Sequence, residues 1–173
     1  DKSHNYPATV NAVKAAGVDA VFYGGYYEEA GPLALQLKTA GVNATFISGD
    51  GSLDAGFVQG AGTAADGALL TAPAAYALTA PEDQAFVSAY KAKFNTSPAL
   101  YSGEAFDAAN HFLAGIAAGK STRSALNTYV STTPYKGLLK TYTYGPTGEL
   151  QGNPVILVHK VVSGKITLVG PAQ

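Results

Sequence analysis

The chain has 173 residues, a formal net charge of −1 and only 13% charged residues. This length corresponds to about one domain at ~150 residues per domain. The balanced charge, with no Lys or Arg cluster, excludes a nucleic acid or an anionic membrane surface as partner. Cysteine is absent from the sequence, which excludes disulfides, thiolate metal sites and cysteine nucleophiles.

Helical and extended patterns alternate through the first 74 residues. Apolar residues recur at helical spacing between Asn5 and Ala16, with Pro7 in the first turn and Gly17 as a stop signal. The apolar run at 18–24 predicts a strand buried on both faces of a parallel sheet. The next predicted elements are helices at 28–40 and 53–58 and strands at 45–47 and 68–71. This alternation predicts an α/β fold with Rossmann-like parallel sheet units.

The remainder of the chain passes from helices to β-hairpins. Residues 72–81 contain two prolines and no charge, which predicts an extended linker. A helix is predicted from 81 to 94, capped by Thr79, and its inner face would carry Phe86, Val87 and Tyr90. A longer helix at 103–118 carries one apolar stripe, which consists of Phe106, Ala109, Phe112, Leu113 and Ile116. A short helix near 126–130 follows, and then hairpin strands at 138–144, 155–162 and 165–169.

No pattern typical of a metal site or of a hydrolase occurs in the sequence. The three histidines, His4, His111 and His159, lie on separate predicted elements without ligand spacing. The string GIAAGKST at 115–122 follows a helix, whereas a phosphate-binding loop follows a strand. An enzyme that uses Ser52 would lack a base and an orienting group at plausible spacing. The sequence therefore predicts no catalytic residue, no metal and no cofactor.

Two loops follow consecutive predicted strands, GGYYEE at 24–29 and SGDGS at 48–52. Since ligands of open parallel sheets bind beyond the carboxyl ends of the strands, both loops are expected at one crevice. Tyr23, Tyr26 and Tyr27 offer aromatic surface there, and Asp50 offers a carboxylate, a combination that suits an ammonium group. The alternative is that Asp50 caps the following helix and that the tyrosines belong to the core or to an interface.

At these residues the sequence resembles a known family. The segments DAVFYGGYYEEAGPLALQLKTAGVNATFISGDG, AADGALLTAP, SPALYSGEAFDAANHFLAGI and YKGLLKTYTYGPTGELQGNPV are similar, in this order, to the periplasmic leucine/isoleucine/valine-binding proteins of ABC transporters. The resemblance implies a type I periplasmic binding protein fold, in which two Rossmann-like lobes close over a free amino acid. It also implies that no covalent chemistry takes place.

The resemblance assigns roles to particular residues. It implies that Asp50 accepts hydrogen bonds from the ligand ammonium, that Tyr26 packs against the ligand, and that Tyr101 lines the side-chain end of the pocket. Gly51 would let the backbone approach the ligand, and Tyr23 would add aromatic surface. The donors for the ligand carboxylate would come from a part of the fold that this chain does not contain.

The resemblance covers only the second half of such a protein. Residues 1–74 would form part of the second lobe, 75–150 part of the first lobe, and 151–173 the terminal strands that return to the second lobe. The expected partners are an amino acid, an ABC permease and the missing N-terminal half of the same protein. The expected location is extracytoplasmic, in the periplasm or as a cell-surface lipoprotein, without a membrane-spanning segment. A sensor domain of the same fold, coupled to a receptor or kinase, is the alternative function.

Overall fold

The computed structural model describes residues 4–74, 78, 81–152 and 155–172, and the chain divides into two units. Unit 1 comprises Asp1–Tyr76 together with Val155–Gln173, and unit 2 comprises Ala77–Pro154. Half of the predicted linker at 72–81, namely residues 75–77, 79 and 80, lies outside the described residues. Ala72 ends a strand and Pro81 begins a 3-10 turn. The assignment of these segments to two lobes stays a prediction.

Unit 1 is an α/β unit, as the sequence predicts. Its helices are α1 (Pro7–Ala16), α2 (Tyr27–Thr39) and α3 (Ala55–Ala61), and its strands are β1 (Ala20–Tyr23), β2 (Thr45–Ser48), β3 (Leu69–Ala72), β6 (Leu157–Val162) and β7 (Lys165–Pro171). One five-stranded sheet has the order β1-β2-β3-β6-β7. The first three strands are parallel, and the final hairpin pairs antiparallel to β3.

The strand β1 differs from its prediction, because it is not buried on both faces. It forms one edge of the sheet, and its Phe22 side chain is 72% exposed. Successive side chains alternate between the faces, so Val21 and its register partner Phe46 point to the opposite face from Phe22. On that opposite face, Phe46 stacks on Phe57 of α3 at 5.5 Å between ring centroids. An apolar run shows that a strand can be covered on both faces, but the covering elements must be supplied by the rest of the fold.

Unit 2 consists of three helices and a short hairpin. Its elements are α4 (Gln84–Phe94), α5 (Ser102–Ala117), α6 (Arg123–Thr132), β4 (Tyr135–Lys136) and β5 (Thr141–Tyr142). The helix α4 begins three residues later than predicted, since Pro81–Asp83 forms a 3-10 turn. Val87 is buried and Phe86 and Tyr90 are half-buried, which matches the predicted inner face. Residues 145–149 form a turn that is closed by the bridge between Tyr144 and Leu150.

The apolar stripe of α5 lies on the exposed side of the helix. Phe106, Phe112, Leu113 and Ile116 are between 46% and 59% exposed. The buried side of α5 consists instead of Gly103, Asp107, His111 and Gly115. The glycines admit close neighbours, because a Cβ at Gly115 would lie 2.6 Å from Leu126 of α6 and one at Gly103 would lie 2.9 Å from Leu139. Within unit 2, α5 therefore packs mainly through small and polar residues. Phe106 of the stripe contacts Phe86 of α4, at 4.9 Å between ring centroids, while Phe112, Leu113 and Ile116 remain largely exposed.

Asp107 connects α5 to the hairpin. Its carboxylate accepts hydrogen bonds from the backbone N–H of Leu138 at 2.6 Å, from the N–H of Leu139 at 3.0 Å and from the Tyr142 hydroxyl at 2.9 Å. The side chain is 1% exposed. Burial and the adjacent carboxylate raise the pKa of Tyr142 well above its usual value, which keeps its hydroxyl proton in place as a donor.

His111 is the second buried polar group of α5. Its imidazole stacks on Tyr135 at 4.7 Å between ring centroids, and its Nε2 atom has no hydrogen-bond partner among the described residues. Burial lowers the pKa of His111, and a hydrogen bond with the Thr133 backbone opposes that shift. In unit 1, burial likewise lowers the pKa of His159, against a hydrogen bond with the Leu70 backbone.

These two histidines predict a loss of stability in mild acid. Because both pKa values are lower in the folded protein, the folded state binds fewer protons than the unfolded state below the ordinary histidine pKa of 6.5. The stabilising contribution is complete above that pH and decreases as the pH falls below it. We expect the free energy of unfolding, measured in urea, to fall between about pH 7.5 and about pH 5.5. His111→Phe, which retains a stacking ring without titrating, should flatten this dependence, and equal stability of the unsubstituted chain at both pH values would contradict the expectation.

Candidate functional site

The two loops identified in the sequence lie side by side in unit 1. The first loop follows Tyr23, the last residue of β1, and Tyr26 immediately precedes α2. The second loop follows β2 and forms a 3-10 turn over Asp50–Ser52. Because β1 and β2 are parallel, with Tyr23 in register with Ser48, both loops begin at the carboxyl ends of the strands, on the same side of the sheet.

Two buried serines connect the loops. The Ser48 hydroxyl lies 2.6 Å from the Tyr23 carbonyl oxygen and 2.8 Å from the Ser52 hydroxyl. The Ser52 hydroxyl lies 3.1 Å from the Gly25 carbonyl oxygen. Both serine residues are 0% exposed. Sequence reasoning considered Ser52 only as a nucleophile and overlooked Ser48, although the alternation of side chains along β2 places Ser48 on the same face as the buried Phe46.

Gly51 allows the two loops to approach closely. A Cβ atom at Gly51 would lie 2.7 Å from the Gly25 carbonyl oxygen and 3.2 Å from the Tyr26 ring, so a side chain there would push the loops apart. A Cβ atom at Gly25 would instead collide with the Tyr23 ring, so a side chain there would displace that ring.

Asp50 does not cap α3, so the capping part of the alternative is wrong. The N-cap of α3 is Asp54, whose carboxylate accepts a hydrogen bond from the Gly56 N–H at 2.7 Å. The 3-10 turn over Asp50–Ser52 lies between β2 and that cap, which leaves the exposed Asp50 at the start of the turn.

The three tyrosines of the first loop have different surroundings. Tyr26 is 70% exposed and is not a core residue. Tyr23 is half-buried, with its ring over Gly25 and 6.2 Å from the Phe46 ring. Burial raises the pKa of Tyr23, with smaller contributions from Glu29 and Tyr6. Tyr27 packs its ring against Gly56 of α3, which makes it a structural residue. The exposed aromatic ring beside the Asp50 turn is therefore that of Tyr26.

Tyr101 belongs to unit 2. It is half-buried and immediately precedes α5, with a φ angle of +66°, a left-handed conformation that is uncommon outside glycine. Its convergence with Tyr26 and Asp50 on one cleft stays a prediction. The structure itself brings together four of the five expected site residues, namely Tyr23, Tyr26, Asp50 and Gly51.

A cavity in unit 1 lies away from the two loops. This cavity of about 200 Å³ lies near the amino-terminal ends of β2 and β3, between Val42, Thr45 and Ala68, at the opposite end of the strands from the two loops.

Across residues 4–74, 78, 81–152 and 155–172, no three His, Asp or Glu side chains are grouped so as to hold a metal ion. In the same residues, none of the helices combines the length and the apolar character required to cross a bilayer.

Comparison with known proteins identifies the family. The periplasmic binding protein family, Peripla_BP_6, matches residues 2–164. The chain belongs to this family. The sequence-based resemblance is thereby confirmed.

Curated relatives agree with this assignment. Leu/Ile/Val-binding protein homolog 3 from Brucella melitensis is 32% identical over 165 residues, which cover 94% of this chain and 44% of the relative. A leucine-, isoleucine-, valine-, threonine- and alanine-binding protein from Pseudomonas aeruginosa is 34% identical over 116 residues, covering 67% of this chain and 30% of the relative. The chain thus spans less than half the length of these two relatives.

Solved structures show the same fold. A leucine-binding protein from Thermotoga maritima aligns with a TM-score of 0.82 and 21% identity over 99% of this chain and 49% of that protein. A branched-chain amino acid transporter substrate-binding protein from Streptococcus pneumoniae, in complex with isoleucine, aligns with a TM-score of 0.81 and 22% identity over 98% of this chain and 49% of that protein. The predicted type I periplasmic binding protein fold, present here in part, is therefore confirmed.

Proposed function

We propose that this chain supplies the ammonium-binding side of an extracytoplasmic receptor that captures a free amino acid, branched-chain or similar, for import by an ABC permease. The observation that carries the proposal is the turn of Asp50 and Gly51 packed beside the loop of Tyr26 at the carboxyl edge of a parallel sheet. The names of the relatives from Brucella melitensis and Pseudomonas aeruginosa support this class of ligand.

The proposed contacts follow from the chemistry of the ligand. The Asp50 carboxylate accepts hydrogen bonds from the ammonium group, and charge-assisted bonds of this kind contribute roughly 1.5–3 kcal/mol. The exposed Tyr26 ring covers the ligand, Gly51 lets the Asp50 turn lie against the Tyr26 loop, and the Tyr23 ring packs on Gly25 of that loop. Tyr101 lines the side-chain end of the same pocket. The protein performs no covalent chemistry, and the ligand is released unchanged.

The proposed organisation assigns residues 1–74 and 151–173 to the second lobe and residues 75–150 to the first. The partner of this chain is then the N-terminal half of the same protein, which would supply the donors for the ligand carboxylate. The lengths of the relatives support this proposal, and so do the uncovered apolar surfaces of both units. Those surfaces are Phe22 on the sheet of unit 1 and the stripe of Phe106, Phe112, Leu113 and Ile116 on α5 of unit 2.

The proposed location is extracytoplasmic, in the periplasm, because the chain belongs to the periplasmic binding protein family. A lipid modification found at the N-terminus of the whole protein would establish its attachment to the cell surface as a lipoprotein.

Calorimetric titration tests the proposed function. The whole protein that contains this chain is titrated with each of the common free amino acids. We expect saturable binding of at least one aliphatic amino acid, with the ligand recovered unchanged by mass spectrometry. Absence of binding to every amino acid in the panel would contradict the proposal, and so would conversion of the ligand to a product.

A further inference from the structure

We propose that Ser48 and Ser52 are positioning residues, whose hydroxyls fix the Tyr26 loop against the Asp50 turn and so preform the ammonium side of the site. The purpose of this arrangement rests on the proposed function. The arrangement itself rests only on contacts within unit 1.

The two serines join segments that are distant in sequence. Ser48 ends β2 and reaches the last carbonyl of β1, while Ser52 ends the 3-10 turn and reaches the Gly25 carbonyl in the other loop. The residues in these two contacts are 25 and 27 positions apart. Tyr26 directly follows Gly25, and Asp50 lies two residues before Ser52 in the same turn. Each serine hydroxyl therefore forms its hydrogen bonds close to Tyr26 or Asp50, the residues proposed to contact the ligand. The serines themselves are not proposed to contact it.

The two serine hydroxyls share their hydrogen bonds, so the loss of either one affects the other contacts. The two serines have two hydroxyl protons for three contacts, and each hydroxyl can also accept a hydrogen bond. When Ser48 donates to the Tyr23 carbonyl, its short contact at 2.6 Å, Ser52 can donate either to Ser48 or to the Gly25 carbonyl. Removing either hydroxyl leaves a buried neighbour with fewer partners, which costs free energy in a buried site.

Amide hydrogen exchange of this chain provides a readout that does not need a ligand. The Leu53 N–H bonds to the Asp50 carbonyl at 2.9 Å, and the Ala30 N–H bonds to the Tyr26 carbonyl at 3.0 Å, so these two amides report on the turn and on the loop. The Thr45 N–H bonds to the Asp19 carbonyl at the opposite edge of the sheet and serves as the internal reference. In Ser52→Ala we expect the Leu53 and Ala30 amides to exchange about tenfold faster, with the Thr45 amide unchanged.

A matched pair of variants separates the hydroxyl from the bulk of the side chain. Ser52→Thr and Ser52→Val add the same volume, but only threonine retains the hydroxyl. We expect threonine to preserve slow exchange at Leu53 and Ala30 and valine to lose it. Ser48→Ala provides an independent variant in case the larger residues at 52 do not fold. Thr39→Val is the control, because among the described residues the Thr39 hydroxyl bonds to the Leu35 carbonyl within α2. This variant should leave both amides unchanged.

The outcomes separate the two proposals. Unchanged exchange at Leu53 and Ala30 in both alanine variants would overturn the positioning role. Faster exchange that affects the Thr45 amide equally would also overturn it, because exchange that accelerates throughout the unit reports general destabilisation. In the whole protein, Ser52→Ala should weaken the binding of leucine or isoleucine about tenfold, with restoration by Ser52→Thr. If the unsubstituted whole protein binds no amino acid, the proposed function fails while the exchange measurement still decides the role of the serines.

Discussion

Replacing Asp107 with asparagine should lower the free energy of unfolding of this chain by about 2–4 kcal/mol. The carboxylate accepts three hydrogen bonds in a buried position, two of them from consecutive backbone N–H groups. An asparagine has one acceptor oxygen, and its amide hydrogens would face N–H donors. A glycine at 137 adjoins the carboxylate so closely that no larger residue fits there, which leaves little room for adjustment.

Urea denaturation followed by circular dichroism measures this effect. Glu149→Gln is the matched control, because Glu149 is an exposed carboxylate of the same unit whose hydrogen bond is to the neighbouring Thr147. The control should leave the free energy of unfolding nearly unchanged, because substitutions of exposed side chains usually have small effects. An Asp107→Asn variant as stable as the unsubstituted chain would show that the hairpin is held by other contacts.

Replacing Asp50 with asparagine should weaken the binding of a free amino acid to the whole protein by roughly 10–100-fold. The expected loss is that of the charge-assisted hydrogen bonds to the ammonium group, because asparagine retains the size of the side chain but not its charge. Stability should change little, since Asp50 is exposed and does not cap α3. Calorimetry with leucine or isoleucine measures the change in affinity.

A neighbouring carboxylate and a second ligand sharpen this test. Asp54→Asn removes a charge four residues away while retaining a side chain able to cap α3, and it should leave affinity unchanged. The compound 4-methylpentanoate has the leucine skeleton without the ammonium group, so its binding should not be weakened by Asp50→Asn. Equal loss of affinity for leucine and 4-methylpentanoate would argue against a contact between Asp50 and the ammonium.

Much of the local structure is predictable because short-range signals determine it. Gly17 ends α1 in the left-handed conformation, with a φ angle of +61°, as its position after a helical pattern predicts. The alternation of strands and helices through residue 72 likewise follows from periodicity, and its element boundaries differ from the prediction by at most about three residues. The loops at 24–29 and 48–52 could be placed together because parallel strands deliver their ends to one edge.

Burial was harder to predict, because it depends on elements that are distant or outside the chain. Phe22 and the stripe of α5 have the composition of core residues and are exposed here. The role of Asp54 also escaped prediction, since a 3-10 turn shifts the start of α3 from the predicted Leu53 to Ala55 and with it the capping position. These differences arise from packing and from a local turn, neither of which apolar periodicity encodes.

The helix α5 buries small and polar residues and exposes large apolar ones, which affects how substitutions in it should be interpreted. Its inward side consists of two glycines, an aspartate and a histidine, and Phe112, Leu113 and Ile116 lie on its exposed side within unit 2. Mutational scanning of the isolated chain would therefore rank Gly115 as intolerant and Leu113 as permissive, against the usual order for a glycine and a leucine on a helix. Under the proposed two-lobe organisation, Leu113 would become sensitive as well in the whole protein. Comparing the two scans would then map the side chains that the proposed N-terminal half shields.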